Sequence, residues 1–413
     1  MRMLELNQTT SGYCLEYKEH NLSITASHIH RHRDNRITAE LLFETNAPGY
    51  SPLLHQTQLN LLSTRSKQIL AKEMEARYEA PWVEILEQSS ALILDRIRRG
   101  EPLQYISTFH EIKPVEYLIH PLIPLNQPTA IFGLPGTMKS YISLVCGILS
   151  SLPWDDNPLG FKVVKEPSRL ALYLDYESSR DLMSWRLKRL QAGMSLGEVM
   201  LPYRRCSIPL ADDIDQVKKI IDESKASFIV IDSLGGACGG DVYSPDPALK
   251  FFAALRSLNM TSLVLAHTSK ESSREKSILG TIYWTAYFRQ IFEAKVSQEE
   301  GENEISCGLF HRKANEDRLI SPIGLHFTFA ENAIQVERQD VKGIEGFLEQ
   351  LSLSQRILEI LKEGAMTSSE LNEILGTRRD TLRMTLNRLK GKGQVVKLPS
   401  EKWGCEASEI TPS

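Results

Sequence analysis

Gly133, Lys139 and Ser140 stand at the spacing of the phosphate-binding pattern GxxxxGK[ST]. The full run is Ile131-Phe132-Gly133-Leu134-Pro135-Gly136-Thr137-Met138-Lys139-Ser140. In such a loop, backbone N–H groups and the start of the following helix hold phosphate oxygens. Lys139 is expected to neutralise β- and γ-phosphate charge, and the Ser140 hydroxyl to ligate Mg²⁺. The expected nucleotide contacts are Gly133, Leu134, Pro135, Gly136, Thr137, Met138, Lys139, Ser140 and Tyr141. Met138 departs from the pattern, which has glycine there. A side chain at that position is expected to strain the backbone.

A loop of this kind needs an acid on a neighbouring strand. Asp232 closes the apolar run Phe228-Ile229-Val230-Ile231 and is the expected partner of Mg²⁺. Leu172-Tyr173-Leu174-Asp175-Tyr176-Glu177 ends another apolar run. Glu177 is the expected general base for an attacking water, with Asp175 the rival acid. His267 follows Leu263-Val264-Leu265-Ala266, where a polar side chain could sense a γ-phosphate or simply sit satisfied at a strand end.

These residues require a scaffold of short buried strands. The candidates are Thr129 to Phe132, Leu170 to Leu174, Phe228 to Ile231 and Ser262 to Leu265. Each is apolar with a polar residue after it, as in the buried parallel strands of an α/β sheet. Ligands of such sheets sit beyond the carboxyl ends of the strands. The expected organisation has three parts: an α+β accessory domain over residues 1 to about 108, an α/β domain over about 109 to 340, and a helical module over about 350 to 404. In the first, strands near Tyr13 and Thr38 give way to helical spacing from Gln58 to Arg99.

The strand ends together resemble the RepA-type and DnaB-type hexameric helicases, a branch of the RecA-like P-loop ATPases. GLPGTMKS resembles the GxPGxxKS loops of that branch, YLDYESS its glutamate strand, FIVIDS its Walker B strand and VLAHTSK its sensor strand. The resemblance spans about residues 120 to 336. It implies a RecA-type core with ATP and Mg²⁺ as cofactors and catalytic roles for Lys139, Glu177 and His267. It also implies a ring of identical subunits, a hexamer, in which Lys313 or Arg312 reaches a neighbour's γ-phosphate, Arg318 being a weaker candidate. Single-stranded DNA would pass through the ring and touch Lys270, Arg274 and Lys276. Glu271 and Glu275 dilute that charge, so an ordinary solvated loop is the competing reading. The glycine-rich stretch Gly235 to Gly240 would be a second central loop or a lid.

In the last part, Ser354, Thr367 or Ser368, and Thr377 are candidate caps for three helices, and Val395 to Leu398 with Trp403 suggest a β-wing. This is the pattern of a winged helix-turn-helix. Its third helix concentrates Arg378, Arg379, Arg383 and Arg388, so duplex DNA is the expected partner. Protein contact or ring assembly is the alternative.

The bulk properties are compatible. The net charge of −4 excludes a wholly basic nucleic-acid coat but not a local basic face. Six scattered cysteines form no CxxC pair, which fits a reducing cytoplasm. No signal peptide and no membrane span are expected. His28, His30 and His32 alternate and could share a strand face, though the interleaved charges suggest a solvated hairpin. The expected function is a DNA-dependent ATPase acting as a ring helicase or remodelling motor. The alternatives are a recombination mediator that does not unwind, and an ATP-controlled DNA-binding regulator.

Overall fold

The computed structural model describes the chain apart from residues 1–5, 9–11, 33, 101–102, 104, 106–113, 153, 155, 165–169, 269–276, 317, 342–343, 345, 348–350, 399–400 and 406–413. Two compact units emerge. One comprises Met1–Pro114 with Asp212–Lys225, the other Val115–Ala211 with Ala226–Ser413.

In the first unit, β1 (Leu6–Gln8), β2 (Gly12–Tyr17), β3 (Leu22–Arg31), β4 (Ile37–Thr45) and β5 (Leu53–Asn60) form a sequential antiparallel sheet. Strand alternation buries Leu15, Ile24, Leu41 and Phe43. Helices α1 (Thr64–Glu75) and α2 (Trp82–Arg99) contribute Leu70, Met74, Trp82 and Leu86 to the same core. The helical run expected from Gln58 starts later, because β5 continues to Asn60 and Ser63 caps α1 by accepting from the Ser66 amide. A register shift between Ser27 and His30 breaks the expected histidine alternation. His28 instead lies 3.6 Å from Glu40 and 3.3 Å from Asp215, while His32 meets the Thr38 hydroxyl.

The second unit opens with β6 (Tyr117–His120) and β7 (Ile123–Pro124). Next come β8 (Pro128–Gly133), α3 (Lys139–Ser151), β9 (Lys162–Val163), β10 (Ala171–Asp175), α4 (Arg180–Gly193) and β11 (Tyr203–Arg205). The following helix, α5 (Ile214–Ser224), belongs to the first unit. The chain continues through β12 (Phe228–Asp232), α6 (Leu234–Ala237), α7 (Pro245–Leu258), β13 (Thr261–His267) and α8 (Ile282–Tyr287). Strands β14 (Gln290–Ser297), β15 (Glu304–Ala314), β16 (Ile323–Phe329) and β17 (Ile334–Gln339) complete the sheet.

The nine-stranded order is β11-β10-β12-β13-β8-β14-β15-β16-β17. From β11 to β14 every pairing is parallel, and the remaining three pairings are antiparallel. The four strands expected from sequence are the central ones, each buried on both faces. Helix α3 is buried nearly all round, which matches its apolar composition. This is the RecA-like P-loop fold, with a large and mostly parallel sheet.

Farther on, α9 (Leu353–Glu363), β18 (Met366–Thr367), α10 (Ser368–Leu375), α11 (Arg379–Gly391), β19 (Val395–Lys397) and β20 (Lys402–Cys405) share a small core around Ile357, Leu371, Leu386 and Trp403. Ser352, rather than the expected Ser354, caps α9 through a reciprocal box with Gln355. Thr367 and Glu370 make the same box for α10, which ends at left-handed Gly376. Arg378 takes the cap position of α11 and stands outside the helix proper, where Thr377 was expected to cap. No described helix is long and apolar enough to cross a membrane.

Candidate active site at the strand ends

The parallel strands deliver Gly133, Asp175, Asp232 and His267 to one edge of the sheet. At Gly133 an added Cβ would lie 2.5 Å from the Ala294 carbonyl oxygen and 2.7 Å from Thr137 Oγ1, so only glycine fits. Leu134, Pro135 and Gly136 form the exposed tip of the loop, and Thr137 to Lys139 turn back into the interior. Thr137 Oγ1 donates to the Leu134 carbonyl at 2.8 Å, closing the turn.

Met138 has φ +61° and ψ +10°, the left-handed conformation. The strain expected at this position is thus present, at a cost of roughly 1–2 kcal/mol for an L-residue. The side chain is buried in the core with Ile142 and Val145. Burial of a Met side chain contributes about 1.5–3 kcal/mol, enough to offset the backbone.

The Lys139 ammonium donates to the carbonyls of Gly133 at 3.1 Å and Leu134 at 2.8 Å, and to Thr137 Oγ1 at 3.2 Å. Burial lowers its pKa, opposed by the charges of Asp232 and Glu177. The cation therefore waits at the mouth of its own loop, held by neutral oxygens that a phosphate can replace. Ser140 Oγ donates to Asp232 Oδ2 at 2.7 Å. The two expected metal-site residues are in direct contact. Burial pushes the Asp232 carboxyl up to about 6, partly relieved by the Ser140 hydrogen bond. A carboxylate so desolvated is a ready partner for a divalent cation, and its hydroxyl neighbour adds a second oxygen. The residues fit the expected Mg²⁺. Tyr141, by contrast, packs against Phe327 and Phe329, with the Arg186 guanidinium over its ring at 5.3 Å.

Asp175 and Glu177 separate clearly. Asp175 is fully buried, and its Oδ1 accepts from the amides of Glu177 at 3.0 Å and Ser178 at 2.8 Å. Its Oδ2 accepts from the Tyr203 hydroxyl at 2.9 Å. Its oxygens are thus committed to shaping the turn. Glu177 is about half exposed, and its Oε1 lies 3.2 Å from His267 Nε2. It also accepts a hydrogen bond from Ser233. The His267 contact, ahead of the Ser233 bond, lowers the Glu177 pKa against the opposing effect of burial. Ser233 and Arg186 did not stand out in the sequence. The position of Ser233 directly after the strand-end acid was the available signal.

The other expected residues lie apart from this cluster. Arg312 makes a bifurcated contact to Glu293 Oε2 at 2.8 and 2.5 Å. The Lys313 ammonium donates to the carbonyls of Thr285, Ala286 and Phe288 at 2.7, 2.8 and 2.6 Å. Lys270, Arg274 and Lys276 fall outside the described residues. After Asp232 the glycine-rich stretch begins as the short helix α6, and a Cβ at Gly236 would lie 2.7 Å from the Tyr176 Cβ. That glycine serves close packing. Arg378, Arg379, Arg383 and Arg388 are all exposed, with Arg388 donating to Ser354 Oγ at 2.6 Å.

Comparison with known proteins agrees with the site. Residues 96–273, less than half of the chain, match the family described as AAA domain. No curated protein matches the chain. Among solved structures, the KaiC-like protein PH0186 from the hyperthermophilic archaeon Pyrococcus horikoshii OT3 is similar at 14% identity, covering 54% of this chain and 99% of that one, with a TM-score of 0.37. The phosphate loop, Glu177, Asp232 and His267 all fall within the residues matched by that family, and the sheet that carries them has the RecA-like P-loop fold.

Proposed function

We propose that the chain is a DNA-dependent ATPase of the RepA/DnaB-like group, working as a ring-forming helicase or DNA-remodelling motor. One observation carries the chemistry: Lys139, Ser140, Asp232, Glu177 and His267 converge on one edge of the sheet with distinct tasks. Lys139 would exchange its three oxygen partners for phosphate oxygens. Ser140 and Asp232 would hold Mg²⁺, which supplies charge neutralisation at the β- and γ-phosphates. Glu177 would accept the proton of the attacking water, with its carboxylate oriented by His267 and Ser233. His267, 3.2 Å from Glu177 Oε1, would register whether that carboxylate is engaged. In the assembled ring, Lys313 or Arg312 would have to leave its present partners to reach a neighbour's phosphate.

DNA dependence rests on the carboxy-terminal elements. Three helices followed by a strand pair suit a winged helix-turn-helix, with α11 as the helix that enters a groove. Four exposed arginines at its start and along its outer face supply the charge. The alternative of an ATP-controlled regulator uses the same helix to read one duplex sequence without translocation.

The test is ATP turnover by the purified chain, with and without single-stranded and duplex DNA at fixed low salt, beside Lys139→Ala. Stimulation by single strands, lost in the variant, supports a motor. Unstimulated turnover with sequence-specific duplex binding would replace it with the regulator.

A further inference from the structure

The amino-terminal ends of β8 and β13 lie at the opposite edge of the sheet from Gly133 and His267. There the turn before β8, the last turns of α7 and the end of α8 with Arg289 line an open hollow of about 460 Å³. Small-ligand sites typically occupy about 300–1,000 Å³. The hollow has a marked chemical bias. Arg256 and Arg289 line it, and no carboxylate does. Among the described residues neither guanidinium is paired with Asp or Glu.

Ser262 also lines the hollow. It is 1% exposed, and its hydroxyl has no hydrogen-bond partner among the described residues. A buried hydroxyl in that condition is costly unless something else satisfies it. Phe252 and Tyr287, stacked with centroids 5.0 Å apart, add an aromatic wall, and Asn126 contributes a side-chain amide. Lys313 caps the carbonyl end of α8, and burial, with the nearby Arg289 guanidinium adding to it, lowers its pKa. An anion with several acceptor oxygens would answer both arginines and the stranded hydroxyl at once.

We propose that this hollow is a second ligand site, which binds a phosphate-bearing small molecule of nucleotide size through Arg256, Arg289 and the Ser262 hydroxyl. It is separate from the phosphate loop, and it stands whether or not the chain acts on DNA. Its volume and its single pair of arginines suit a free small molecule better than an extended nucleic-acid backbone.

The experiment is calorimetric titration of the full-length protein, run in parallel on Lys139→Ala, in which the phosphate loop is disabled. AMP and inorganic phosphate are the probes. One AMP site per chain is expected, weakened about tenfold by Arg256→Ala or Arg289→Ala. Both side chains are exposed, so the variants should fold, and circular dichroism checks that. Lys139→Ala should leave the site intact. Absence of AMP and phosphate binding, binding indifferent to both arginine substitutions, or loss in Lys139→Ala would each overturn the proposal. If only oligonucleotide binding falls in the arginine variants, the surface is a nucleic-acid contact and the small-molecule assignment fails.

Discussion

Glu177 and His267 stand on different segments 90 residues apart, yet Oε1 and Nε2 are 3.2 Å from each other. This contact is the foremost reason that the Glu177 carboxyl titrates below its ordinary value. Removing it should raise the Glu177 pKa. The acidic limb of the turnover profile should therefore move to higher pH in His267→Ala, because the base is protonated sooner as pH falls. Glu177→Gln should lower turnover by about 10²–10⁴-fold while retaining ATP binding. An acidic limb unmoved in His267→Ala would show that the pair has no part in setting the base.

Asp232 titrates in the opposite sense. Its folded-state pKa of about 6 exceeds the ordinary value of roughly 3.9. The folded state then binds the proton more tightly than the unfolded state. The associated stability is fully present below about pH 4 and is lost as pH rises through about 6. Protein freed of metal with EDTA should lose about 3 kcal/mol of stability across that window. Asp232→Asn should lack this slope, melt higher than the parent at pH 8, and no longer respond to Mg²⁺. Denaturant titrations at several pH values would measure all three effects.

Met138 tests whether burial outweighs backbone strain. Replacement by glycine relieves the left-handed conformation but empties a place in the core. A net loss of about 1 kcal/mol is expected, with a melting temperature lower by a few degrees. ATP affinity should change little, since the loop backbone is retained. A higher melting temperature would mean that strain dominates.

Lys313 separates a structural role from a role in a neighbouring subunit. Lys313→Ala should destabilise the α8 end in any case, because three carbonyls lose their donor. If the residue also serves a neighbour, mixing the variant with Glu177→Gln protein should restore turnover at hybrid interfaces. A mixture no more active than its parts would confine Lys313 to its own chain.

On α11, Arg379→Ala and Arg383→Ala should each weaken duplex binding by about 1–3 kcal/mol if they touch bases. If they touch phosphate, the loss should be similar for all sequences, and the salt slope should fall by about one unit. Fluorescence anisotropy at several salt concentrations distinguishes the two. Unchanged binding would assign the helix to protein contact.

The central strands were legible because parallel strands buried on both faces read as short apolar runs, and the polar residue ending each run marks the ligand edge. Lys139, Ser140 and Asp232 could be placed on that basis alone. The preference for Glu177 over Asp175 rested on context, and its physical ground, Tyr203 and the backbone amides that occupy Asp175, had no local signal. Nor did the carbonyl cap made by Lys313 or the pairing of Arg312 with Glu293, which arise from contacts across the sheet rather than from local spacing. The interleaved charges around His28, His30 and His32 marked the solvated hairpin of β3 and β4, whereas its register shift arises from cross-strand pairing and left no local signal.

The membership of α5 in the first unit has a practical side. The polypeptide leaves the ATPase sheet after β11, serves the other unit, and returns to form β12 and Asp232. The two units therefore cannot be separated by a single cut. A fragment starting at Val115 would carry Ile214–Ser224 without the companions it is grouped with, leaving Asp215 without His28. Proteolysis between the units should leave them associated through their shared chain, and the shortest autonomous ATPase should be one in which residues 212–225 are replaced as well as the amino-terminal part removed.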